Sequence, residues 1–169
     1  MSDPAGRVVL AVSPDTPTEA VDSAFAWAAV RGCLLLAVRT WHEPDLPLGG
    51  WLEPERTARW DAADRRARRE LDHALEPAQL AHPTVPVVRI VVDDDPVSFL
   101  TALSTRAEVL VLGRPRQPGN RCSPVVDALV HRTACPVLVV PPTPCPSSAP
   151  RTPAASTSGW STNGSSTNG

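Results

Sequence analysis

VLVLGRPRQPGNRCSPVVDALVHRTACPVLVV, residues Val109 to Val140, decides the fold of this chain. It opens on the apolar run Val109 to Leu112, turns at Gly113 and passes through a loop containing Pro115, Pro118 and Gly119. Apolar residues at helical spacing then predict a short helix from about Pro124 to Arg132, and Pro136 to Val140 closes the stretch as a second apolar run. Continuous apolar runs of this length, without polar alternation, belong to strands covered on both faces, the pattern of parallel sheets. A helix between two such strands is the crossover that parallel pairing requires.

The same unit repeats toward the N-terminus. Arg7 to Val12 (RVVLAV) predicts a buried strand, and Thr16-Pro17-Thr18-Glu19 predicts the helix that follows. In that reading Thr16 is the N-cap, Pro17 the first helical residue and Glu19 the reciprocal partner of a capping box. Ala20, Ala24, Trp27 and Ala28 form its apolar stripe, and Gly32 ends it. Cys33 to Val38 (CLLLAV) predicts a second buried strand, followed by an irregular stretch from Thr40 to Gly50.

A polar helix is expected from about Pro54 to Leu75, with Asp61–Arg65, Asp64–Arg68 and Arg66–Glu70 paired on its surface. Trp60, Ala63, Ala67, Leu71 and Leu75 are its inward stripe, and Pro77 is expected to stop it. Val85 to Val92 predicts a third strand, and Asp95-Pro96 starts a helix running to about Thr105. The whole chain thus alternates strand and helix, which implies a parallel sheet with helices on both faces.

Composition sets the outer bounds. The 169 residues suit one domain, and the segment after Pro141 is rich in Pro, Ser, Thr, Gly and Asn. That segment lacks the apolar surface needed to offset its ordering entropy, so a disordered tail is expected over residues 142–169, with residues 1–6 as an N-terminal extension. The roughly 140 residues between suffice to bury about two thirds of the unfolded surface. Cys33, Cys122, Cys135 and Cys145 form no CxxC pair, and no signal peptide is apparent, so a reduced cytoplasm is the expected compartment. No apolar run approaches the roughly 20 residues of a membrane span. A net charge of -2 argues against a nucleic-acid partner. The basic residues are sixteen arginines and no lysine, which excludes the Walker lysine and Schiff-base catalysis.

Four phrases in order carry a family resemblance: VVLAV before a turn, VRGCLLLAVRTW from Val30 to Trp41, Asp94-Asp95-Pro96, and EVLVLGR followed by ALVHRTACPVLVVP. From Arg7 to about Pro141 the chain resembles the universal stress protein family. The resemblance implies a flavodoxin-like α/β fold, with a doubly wound parallel five-stranded sheet of order 3-2-1-4-5. It also implies a homodimer formed through the last strand, Pro136 to Val140. Ligands of such sheets bind outside the carboxyl ends of the strands where the order reverses, here between Ser13, Thr40 and Gly113.

Nucleotide-binding members resemble one another in a phosphate loop written Gly, two residues, Gly, nine residues, Gly, then Ser or Thr. Glycines let the backbone approach phosphate, and amides at the next helix start supply donors. In this chain Gly113 holds the first position, Arg116 stands where the second glycine is expected, Gly119 follows, and Ser123-Pro124 replaces the Gly-Ser pair. The family pattern makes the loop about three residues short. Pro115, Pro118 and Pro124 each remove an amide donor, whereas Arg114, Arg116 and Arg121 add cations able to chelate phosphate. At the end of the first strand, where nucleotide binders of the family carry Asp, this chain has Ser13, with Asp15 two residues on. Serine hydrogen-bonds but cannot reproduce a carboxylate.

Other constellations read as ordinary structure. Trp41, Trp51 and Trp60 either stack on or replace a base, or anchor a loop to the core. Asp93-Asp94-Asp95 has the oxygens a magnesium ion selects, but Asp95 before Pro96 reads as a helix cap. Arg65, Arg66, Arg68 and Arg69 are interleaved with acids as a solvated face. His131 at a helix end meets carbonyls, His42 with Glu43 and Asp45 lacks metal-ligand spacing, and no GxSxG elbow is present to make Ser13 or Ser123 a nucleophile. The resemblance, not the spacing of residues, implies a stress-response module acting through an unidentified protein partner; the residues themselves offer no catalytic constellation, and the loop reads as one with nucleotide binding weakened or lost. The alternatives are an ATP or AMP sensor using the crevice, and a weak nucleotide hydrolase. No metal and no certain cofactor are assigned.

Overall fold

The computed structural model describes residues 6–41, 53–114 and 123–143. Its elements are β1 (Arg7–Ala11), α1 (Thr18–Arg31), β2 (Leu34–Trp41), α2 (Glu53–Ala81), β3 (Val87–Asp93), α3 (Pro96–Ser104), β4 (Val109–Gly113), α4 (Pro124–Arg132) and β5 (Val137–Val140). The strands form one five-stranded parallel sheet of order β3-β2-β1-β4-β5, as the resemblance implies. β1 is central, pairing Ala11 with Val38 of β2 on one side and with Leu112 of β4 on the other.

Successive strand residues point to opposite faces, and each face has its own core. Val8, Leu10, Leu35, Ala37, Val109 and Val111 pack with Phe25 of α1 and with Leu71 and Leu75 of α2. Val9, Leu36, Val38, Leu110 and Leu112 pack on the other face with Leu100 of α3 and with Val126 and Leu129 of α4. Helices α1 and α2 thus cover one side and α3 and α4 the other.

Three local expectations are corrected. Thr16 is not the cap of α1: the helix begins at Thr18 with Pro17 at the N-cap and no side-chain capping bond. Thr16 Oγ1 instead accepts a 2.7 Å hydrogen bond from the Ser13 amide, closing the turn after β1. Glu19 makes no capping box either, and its Oε1 accepts from the Thr143 amide at 3.0 Å, tying the residues after β5 to the start of α1.

The α1 stripe also differs, since Val21 and Phe25 are buried while Trp27 is half-buried beneath the Arg31 guanidinium, 5.5 Å from its ring. Gly32 does end the helix, in the left-handed region at φ 66°, with Cys33 N donating to Ala28 O.

Pro77 does not stop α2, which continues to Ala81. The missing amide removes only the bond to the His73 carbonyl. Leu75 and Ala78 on either side are buried against the sheet, and that burial outweighs the lost bond. Of the surface pairs on α2, Asp64–Arg68 and Arg66–Glu70 form at 2.7 and 2.8 Å. Asp95 caps α3 as expected, accepting from Ser98 N at 2.8 Å. Ser104, buried at the other end of α3, donates to Thr101 O and accepts from Ala134 N, holding the approach to β5. Among the described residues no helix is long and apolar enough to cross a membrane. The predicted tail from Pro144 onward lies outside the described residues.

Pro77→Ala restores a helical amide at an exposed site, and is expected to stabilise the protein by about 1–2 kcal/mol. Leu71→Ala opens a cavity under the same helix and should cost about 2–5 kcal/mol. Urea unfolding midpoints at unchanged slope measure both, and a loss of stability in Pro77→Ala contradicts the account of α2.

Candidate functional site

Strand order reverses between β1 and β4, and a crevice of about 230 Å³ opens there at the carboxyl ends of the strands. The strands contribute Ala11 and Ser13 from the end of β1, Val38 and Thr40 from β2, and Leu112 and Gly113 from β4. Leu100 of α3 and Ser123, Val126 and Leu129 of α4 form the opposing wall. Strand alternation makes this the mouth of the core shared with α3 and α4, so its depth is apolar.

Four predicted site residues therefore meet in one place: Ser13, Thr40, Gly113 and Ser123. Asp15 does not join them, lining a separate shallow depression with Pro17, Glu19 and Pro142 on the outer side of the turn. Arg114 follows β4 and its amide donates to Val140 O at 2.8 Å, while its side chain is not part of the crevice wall. Arg116, Gly119, Arg121 and Cys122 lie outside the described residues, as do Trp51, His42, Glu43 and Asp45.

The polar rim is largely occupied with itself. Ser13 Oγ lies 3.1 Å from Thr16 Oγ1, the same oxygen that accepts from the Ser13 amide. Ser123 is the N-cap residue of α4 but makes no side-chain capping bond. Gly113 serves packing here: a Cβ at this position would run into Pro17 Cδ and lie 3.1 Å from Thr16 Cγ2. Gly113 is thus the seat for the turn that leads into α1.

Arg39, which borders the crevice through β2, turns its guanidinium to the opposite face of the sheet. Its Nη2 pairs with Glu70 Oε2 of α2 at 3.0 Å and its Nη1 donates to Thr40 O at 2.8 Å. Burial alone would raise the Glu70 carboxyl, but hydrogen bonds from Arg66 and Arg39, with their charges, outweigh it and hold the carboxyl below its usual value. Nearby, Trp41 and Trp60 meet at 5.4 Å between ring centroids, and Trp60 Nε1 donates to Asp93 Oδ2 at 3.2 Å. These two tryptophans join α2 to the strand ends and do not line the crevice.

Candidate chemistry elsewhere is likewise engaged. Asp94 Oδ1 accepts from Asp95 N, Asp95 caps α3 and Asp93 holds Trp60, so each of the three aspartates has a structural partner. Hydrogen bonds from Ser98 lower the Asp95 carboxyl, as an N-cap should. His131 Nδ1 donates to the Asp127 carbonyl at 2.8 Å, at the helix end where the negative dipole lies. Burial pushes both described thiols up, with Glu108 adding to the effect at Cys33, so neither Cys33 nor Cys135 is a ready thiolate.

The universal stress protein family profile matches residues 5–141. The chain belongs to the universal stress protein family. It is 30% identical to a universal stress protein of Mycobacterium bovis over 142 residues, which cover 81% of this chain and 46% of that protein. The chain thus spans about half the length of the curated relatives it matches. Among solved structures, a universal stress family protein from Burkholderia pseudomallei superposes with a TM-score of 0.59 at 21% identity, covering 83% of this chain and 99% of that one. A universal stress protein solved in complex with cAMP superposes at 0.50 with 22% identity, covering 80% of this chain and 95% of that chain. At these identities the structural likeness supports the flavodoxin-like universal stress protein fold; site residues rest on this chain alone.

No sequence signal marked the Arg39–Glu70 pair or the Gly113–Pro17 contact, because both join elements remote in sequence. Gly113→Ala is expected to destabilise the fold by about 1–3 kcal/mol through overpacking against Pro17, read as a lowered unfolding midpoint. The lowered Glu70 carboxyl binds its proton more weakly in the folded state. Its stabilising contribution is therefore present above the ordinary carboxylate value and is lost as pH falls through the folded one. Glu70→Gln should lower stability at pH 7, and the gap to wild type should close as the pH is taken down through the carboxylate range.

Proposed function

We propose that residues 7–141 form a stress-response module that works through protein contacts, with nucleotide binding weakened or lost and no catalysis of its own. The observation that carries this reading is the closure of the Ser13 amide and hydroxyl onto Thr16 at the end of β1. In nucleotide-binding members that position supplies a carboxylate. Among the described residues none that lines the crevice is acidic, and Asp15 stands outside it.

Protein contact has two supports. β5 is an edge strand whose four residues are all half-buried, and edge backbone groups are open to pairing with another strand. Val130 stands exposed on α4, which packs beside β5. A homodimer through Pro136 to Val140 is the arrangement proposed, with a further protein as partner and the reduced cytoplasm as compartment.

The persistence of the crevice at the strand-order reversal favours a second reading, an ATP or AMP sensor, and the relative solved with cAMP lends it support. Calorimetric titration decides between them. Wild type is expected to show no saturable AMP or ATP binding below millimolar concentration, and Ser13→Asp is expected to gain it. Micromolar binding by wild type, abolished by Ser123→Trp in a protein of unchanged circular dichroism, would replace the first reading by the sensor. Light scattering at tens of micromolar, an ordinary working range, should give the mass of a dimer, and a monomer mass removes the β5 pairing.

A further inference from the structure

β3 forms the edge of the sheet opposite β5, and its residues VVRIVVD pair only with β2 among the described residues. The N–H and C=O of one strand residue point to the same side, and successive residues alternate. Pro86 O accepts from Leu35 N of β2 at 2.9 Å, so residues 88, 90 and 92 turn their backbone groups inward. Val87, Arg89, Val91 and Asp93 therefore turn theirs to the open edge. All the strand's residues except Arg89 and Asp93 are β-branched and apolar, and a long edge of that kind is a ready template for another strand.

Edges of this kind are commonly guarded by a charge, and on β3 that charge would be Arg89. Strand alternation puts its side chain on the α2 side of the sheet, the side that Asp93 also faces. Arg89 Nε pairs with Asp72 Oδ1 at 2.9 Å and its guanidinium also meets Gln79, while Asp93 Oδ2 accepts from Trp60 Nε1 at 3.2 Å. A guanidinium and a carboxylate can each serve several partners at once, so these bonds hold the two groups in place without saturating them. Their charges are opposite and lie symmetrically about Val91, so the edge is its own complement when turned end for end. The groove beside it is mixed in the same way, with Arg69 near Asp72 and Glu76 of α2. On the other face of β3 Val88 is exposed and Ile90 half-buried, so apolar surface is open there as well.

We propose that two copies of this chain pair their β3 strands antiparallel about a two-fold axis at Val91, which sets Arg89 of each copy opposite Asp93 of the other. Ladder bonds form only where edge-facing residues oppose each other, so the axis must pass through a residue and not between two. Charge then selects the residue. An axis at Arg89 opposes two arginines, and one at Ile90 sets Arg89 against Val91, whereas Val91 at the axis pairs both charges within the strand. The axis stands normal to the sheet, so both α2 grooves share one side of the joined sheet. On the other side Ile90 meets Val92 of the second copy. The contact lies at the edge opposite β5 and stands whether or not β5 pairs; where both form, sheets join end to end without closing.

Sedimentation equilibrium of the full chain at about 50 and about 500 µM, a range suited to a narrow contact, reads the pairing directly. The wild-type mass is expected to double between the two concentrations. Arg89→Asp and Asp93→Arg each oppose like charges across the axis, and each is expected to lose the doubling while keeping its circular dichroism. An equal mixture of the two variants makes every facing pair opposite in sign again, and is expected to regain it. A β5 dimer contributes alike to all these samples, so its failure halves every mass and leaves the differences between samples unchanged. Val91→Pro removes an edge-facing N–H and no bond to β2, and serves as the second variant should the charge variants fail to fold, with the same loss expected. A wild-type mass that stays level leaves the edge to some other extended segment and overturns the inference. Doubling that survives in the folded variants, or a mixture of folded variants that does not regain it, overturns it too.

Discussion

Burial of β1 on both faces is the constraint on which the rest of the structure depends. Val8, Val9 and Leu10 have no exposed surface, so this strand needs a neighbour on each side and a helical layer above and below. α1 and α2 meet one demand and α3 and α4 the other. The chain can supply both layers only by reversing direction across the sheet, and the reversal leaves a crevice beside β1 that no crossover covers. The site is thus a by-product of how a two-sided central strand is enclosed.

The same enclosure explains why Gly113 is small. β4 runs beside β1, and the turn after β1 must cross its end to begin α1, which brings Pro17 against the Gly113 backbone. A residue that resembles part of a phosphate loop is thereby required for packing whether or not phosphate is ever bound. Ser13 and Thr16 close the same turn by bonding each other, so the groups nearest the crevice mouth serve the fold first. Family membership and local chemistry need not agree here. Membership rests on residues 5–141 as a whole, whereas the roles of Ser13, Thr16 and Gly113 seen here rest on this chain's own turn.

Most of the fold was legible in the sequence. Unbroken apolar runs gave all five strands, Asp95-Pro96 gave the start of α3, and Gly32 gave the end of α1. The two departures have different physical causes. Local chemistry makes Thr16 a cap and Pro77 a helix stop, but a competing turn three residues back takes the Thr16 hydroxyl, and packing against the distant sheet carries α2 through Pro77. Leu75 and Ala78 hold α2 to the sheet through Pro77, and the turn that carries Ser13 claims the Thr16 hydroxyl. The candidate site was legible in its place, since Ser13, Thr40, Gly113 and Ser123 converge, but not in its membership, since Asp15 lies on the outer side of the turn.

Hydrophobic pattern, helix signals and the order of the family phrases by themselves determined that this chain builds a parallel five-stranded α/β sheet with its crevice beside β1. Those signals are local or are repeated along the chain, and burial of both faces of each strand makes them hard to satisfy in any other way. Only the tertiary structure decided what the crevice is made of. Which way Arg39 points and what Gly113 touches depend on strand register and on helices remote in sequence, and a side chain changes face with a single step of register.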